Sequence, residues 1–100
     1  MTSQRIVSRE EAIIIVAEEL ELDPDRLFFF GALQSPGQYA RIVTDGVAAS
    51  RSKGFDADSR ATAFINRALF SLTNNNPVDL SKQEVGEARR RAKARITFPE

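Results

Sequence analysis

Basic side chains gather near the end of the sequence, where Arg89, Arg90, Arg91, Lys93 and Arg95 follow one another closely. Such a run can meet phosphates or an acidic protein surface, and these five residues are the expected contacts for any anionic partner. The same charges also suit the end of a helix, where cations favour the macrodipole and Glu87 can pair with Arg91 one turn on. On a helix they point around most of the circumference, and no aromatics are interleaved to stack on bases. A structural role is therefore the expectation, and nucleic-acid contact the alternative.

Carboxylates are the only other groups with chemical reach, because the chain has no His and no Cys. That composition removes imidazole acid-base work, thiolate chemistry, disulfides and Cys/His zinc sites. Asp56 and Asp58 lack the Gly and the distal Glu of a calcium loop, and helix capping accounts for them. Glu18, Glu19 and Glu21 fall on a solvated arc. The chain has no Gly-rich phosphate loop and no serine-nucleophile motif, and Tyr39, the sole tyrosine, reads as core. The expectation is a protein that is not an enzyme, with no catalytic residue, metal or cofactor. A deep pocket in which two or more carboxylates converge with Arg or Lys, away from the helix caps, would overturn it.

Fourteen basic and fourteen acidic residues cancel, so no global field draws the chain to nucleic acid or an anionic membrane. The distribution is uneven, with an acidic N-terminal third and a basic C-terminal end. The longest apolar run, Ala12 to Ala17, is too short to span a bilayer and lacks the layout of a secretory signal, so a cytoplasmic location is expected. One hundred residues, 42% of them apolar, suit a single domain with its own core.

The element that organises this core is expected at Asp58 to Leu72. Ala61, Phe64, Ile65, Ala68, Leu69 and Leu72 keep the spacing of one helix face, with Arg60, Asn66, Arg67 and Ser71 mostly opposite. Around it, residues 1–7 read as a frayed lead-in. Ser8 and Glu11 form a capping box that starts a helix to about Glu21, with Ala12, Ile13, Val16, Ala17 and Leu20 inward. A β-strand reading of its β-branched run is the weaker one. Asp23 and Pro24 start a short second helix to Leu33, with Leu27, Phe30 and Leu33 inward.

Ser35-Pro36-x-Gln38 starts a third helix through Tyr39, Val43 and Val47 to about Ser52, ended by Gly54. Asp45-Gly46 leaves open a break in it or a hairpin instead. Asp56 or Asp58 caps the central helix, and Asn74, Asn75, Asn76 and Pro77 stop it. Ser81 and Glu84 box the last helix, whose stripe is Val85, Ala88, Ala92 and Ile96, with a short strand as the other reading of its tail. The predicted fold is all-α, one compact bundle of about five helices over residues 1–100. The alternative is α+β, with a small hairpin around Asp45-Gly46.

The stretch IVAEELELDPDRLFFFGAL resembles a helix-turn-helix over about twenty residues. Ala17 sits where that motif has a small residue, Leu22 follows the turn, and Val16, Leu20, Leu27 and Phe30 match its buried positions. It departs from the motif at Glu21, where a turn glycine is usual, and its second helix would offer Asp23, Asp25, Phe28 and Phe29 to DNA. Carboxylates repel phosphates, so the resemblance implies architecture more than DNA reading.

Ile14 and Ile15 fall off the first helix's stripe and Phe28 off the second's, with Phe29 at its margin. Together these four are the expected protein interface, unless the first helix is buried on several sides. The function that follows is a non-enzymatic interaction module of adaptor or inhibitor type, acting on a protein partner or a second copy of itself. The alternative is a nucleic-acid-binding regulator that uses the basic helix or the helix-turn-helix-like segment. No membrane or small-molecule substrate is expected.

Overall fold

The computed structural model describes residues 5–28, 35–50 and 56–98. Within these, four α-helices enclose one core: α1 (Arg9–Glu19), α2 (Pro36–Ser50), α3 (Ala57–Asn75) and α4 (Lys82–Arg95). Strands β1 (Arg5–Ile6) and β2 (Ile96–Thr97) pair in parallel, with Arg5 beside Ile96 and Ile6 beside Thr97. A 3-10 turn covers Pro24–Arg26. No helix among the described residues is long and apolar enough to cross a membrane.

The helix starts follow from local capping chemistry. The Ser8 hydroxyl accepts the Glu11 amide, the Asp56 carboxylate accepts the Ser59 amide, and Ser35/Gln38 and Ser81/Glu84 bond reciprocally as full capping boxes. The box expected at Ser8 is only half formed, because the Glu11 carboxylate turns to Arg5 at 2.8 Å.

The centre of the fold is shared. The α3 stripe of Ala61, Phe64, Ile65, Ala68, Leu69 and Leu72 is buried as expected, but α1 packs against α2, α3 and α4 together. A helix held on three sides needs apolar residues around more than one stripe, which is why Ile15 is buried along with Ile13 and Val16. Ala88 and Ala92 of α4 are fully buried, and their small side chains let α4 approach closely.

Three expectations need correction, and one alternative falls away. The N-terminal segment is not frayed from Arg5 to Val7: it is paired to β2, the Val7 amide donates to the Thr97 carbonyl at 2.9 Å, and the Val7 side chain is buried. The second helix does not run on, because Leu27 is extended (φ −71, ψ 139) and Asn76 occupies both backbone polar groups of Phe28. Phe30, Leu33 and Gly54 lie outside the described residues. No hairpin forms at Asp45-Gly46, since α2 passes through unbroken. Gly46 instead leaves room for Arg67 of α3, whose guanidinium lies 3.2 Å from where a Cβ would stand. Ser71, placed on the polar side, is buried, and burial raises the Tyr39 phenol above its usual value against the opposing pull of Ser71 and Arg67.

The turn after α1 closes as a Schellman motif. The Leu22 amide donates to the Ala17 carbonyl at 2.8 Å and the Glu21 amide to the Glu18 carbonyl at 3.0 Å. Glu21 takes the left-handed position (φ 63) that normally falls to glycine, so the motif's missing glycine is a real strain in the backbone.

Candidate functional site

An open apolar groove of about 430 Å³ lies where the last turns of α3 meet the following loop and the first turn of α4. Leu69, Phe70 and Thr73 form one wall, Val78 and Leu80 the loop side, and Val85 with Lys82 the other wall. Leu69 belongs to the core and Val78, Leu80 and Val85 pack partly against it, so the groove floor is held by the fold itself. Phe70 stands at the edge with 67% of its surface in water.

Asn76, directly after α3, sets the neighbouring chain. Its side chain is buried; Oδ1 accepts the Phe28 amide at 3.0 Å, and Nδ2 donates to the carbonyls of Phe28 at 3.1 Å and Leu72 at 3.2 Å. This carboxamide mimics a neighbouring strand and holds Phe28 against the end of α3, where its ring is half exposed.

Leu80 also borders a second pocket, of about 170 Å³, lined by Glu19, Glu21, Glu84, Glu87 and Arg91. Arg91 Nε donates to Glu19 at 2.8 Å, and Arg95 bridges Glu18 and Glu19 at 2.9 Å each. Burial pushes the Glu19 carboxyl up, but hydrogen bonds and charge from Arg91 and Arg95 together hold it below its usual value. Backbone and hydroxyl hydrogen bonds from Ser81 lower Glu84 as well. Both shifts favour the ionised carboxylate. Among the described residues no three carboxylates come together as a metal site.

The residues expected at an interface divide. Phe28 is exposed, Ile14 is half-buried, and Phe29 lies outside the described residues. Ile15 is only 4% exposed and belongs to the core, so it does not join Phe28 in an exposed patch. In the basic run, Arg91 and Arg95 are bonded to Glu19 and Glu18, and Lys93 meets Asp58 at 2.7 Å. Among the described residues no carboxylate pairs with Arg89, which is half-buried, or with Arg90, which is exposed. Most of the basic helix is thus spent on holding α4 to α1 and α3.

Sequence reasoning missed Phe70, Val78 and Leu80. A signal for Phe70 was present: it follows Leu69 and so falls about 100° around the helix from the buried stripe, an aromatic on a polar arc. Comparison with protein families, with curated proteins and with solved structures finds no match to this chain.

Proposed function

We propose that this protein is a non-enzymatic interaction module, of adaptor or inhibitor type, that acts by docking its α3–α4 groove on a protein partner. The observation that carries this reading is Phe70, a large aromatic left mostly in water at the rim of an apolar groove. Burying such a side chain is worth roughly 1.5–3 kcal/mol, which an isolated chain forgoes and a complex recovers. The two perturbed glutamates serve as fixed negative charges, which supports binding over acid-base chemistry. Nucleic-acid binding ranks second, because carboxylates already engage Arg91, Lys93 and Arg95.

The test is affinity capture from the native host with wild type and Phe70→Asp, alongside circular dichroism and light scattering. Phe70 touches water more than core, so the variant is expected to stay folded and to lose the captured protein, or the self-association, that wild type shows. Equal capture by both proteins, without any Phe70-dependent association, refutes the reading.

A further inference from the structure

We infer that the occupant of the α3–α4 groove is an amphipathic helix of a partner protein, with apolar anchors on one face and Lys or Arg flanking them. This rests on the reading of the chain as an interaction module and names the chemistry of its partner. The apolar requirement comes from Leu69, Phe70, Val78 and Val85, which offer an incoming chain little hydrogen bonding. The basic requirement comes from what lies across Leu80. Among the described residues, Glu19, Glu21, Glu84 and Glu87 line the adjoining pocket with one lining cation, Arg91, and Glu19 already holds both Arg91 and Arg95.

Glu21 is exposed, and Glu84 is exposed with its Oε1 held by the Ser81 amide, which leaves Oε2 to meet an arriving cation. The C-terminal end of α3 adds its partial negative charge beside the groove. Among the described residues lining the groove Lys82 alone is charged, and its aliphatic stem can serve as wall while its ammonium stays in water. A groove walled by two helices takes a third through anchors one turn apart, and a cation next to those anchors then reaches the carboxylates beyond Leu80.

Two synthetic helical peptides of equal length, one of Leu and Lys and one of Leu and Glu, test this by titration into the labelled full chain, read by amide chemical shifts. The Leu/Lys peptide is expected to bind more tightly by at least tenfold and to shift Leu69, Phe70, Thr73, Val78 and Val85. Phe70→Asp should weaken it at least tenfold. Glu21→Gln with Glu87→Gln should weaken it roughly fivefold and flatten its dependence on salt. Equal binding of both peptides, binding of neither, or shifts confined to other surfaces overturns the inference. If neither peptide binds while Phe70-dependent capture of a partner persists, only the helix chemistry fails. If that capture fails too, the module reading falls with it.

Discussion

Replacing Asn76 by Ala removes three hydrogen bonds at once, but their losses are unequal. The Leu72 carbonyl keeps a partner, because the Asn76 backbone amide also donates to it at 3.0 Å. The damage therefore falls on the amide and carbonyl of Phe28, which sit part-buried against the end of α3. A net hydrogen bond is worth roughly 0.5–1.5 kcal/mol, and a stranded buried group costs more, so Asn76→Ala should destabilise by about 2–3 kcal/mol. Asn76→Asp separates the contributions. It keeps the acceptor for the Phe28 amide and turns a carboxylate toward the carbonyls of Phe28 and Leu72, so at neutral pH it should be at least as damaging as Ala.

Urea unfolding followed by far-ultraviolet circular dichroism gives both values, with unchanged m-values expected. Amide exchange at Phe28 supplies the local readout and should speed up in both variants by more than global unfolding explains. An Ala variant within about 0.5 kcal/mol of wild type, or an Asp variant matching wild type, would refute the clamp.

Two further outcomes are expected. Glu21→Gly should raise stability by about 1 kcal/mol by relieving the left-handed backbone, while Glu21→Ala, which retains a Cβ, should leave it nearly unchanged; thermal midpoints distinguish them, at roughly 4–8 °C per kcal/mol. The Glu19 carboxyl is held below its ordinary value of 4.5 in the fold, so its contribution is complete above that value and is lost as pH falls through the lower folded one. Glu19→Gln should cost about 1–2 kcal/mol at neutral pH and remove part of this acid dependence, as measured by urea unfolding across pH.

Helix starts were legible because caps are local: Ser8, Ser35, Asp56 and Ser81 each sit three residues before the amide they hold. What escaped depends on residues distant in sequence. Two-residue strands carry no periodicity, so β1 had no signature, and its register exists only through Ile96 and Thr97. Ile15 looked off-stripe because a single stripe presumes a single neighbour, whereas α1 has three helical ones. Asp45-Gly46 carries a turn's chemistry, yet its glycine answers to Arg67 from another helix. Phe28 was expected outside from a helix face that does not form, and its exposure comes instead from the extended segment that Asn76 holds. The groove could not be anticipated, because Phe70 and Val85 become neighbours only once α3 and α4 pack.

The pairing of β1 with β2 sets a condition on the order of folding. Arg5 and Ile6 leave synthesis before the four described helices, but their partners Ile96 and Thr97 come only after α4 has been made. The Arg9 guanidinium likewise waits for Phe98, over whose ring it rests at 4.1 Å. Helical turns can form as the chain lengthens, whereas closing this long loop incurs an entropy that local turns do not. The sheet is therefore a latch that engages after the helices have met, and until then Val7, buried in the finished fold, stays in water. In the newborn chain, that interval is when the protein is most open to association with the wrong surface.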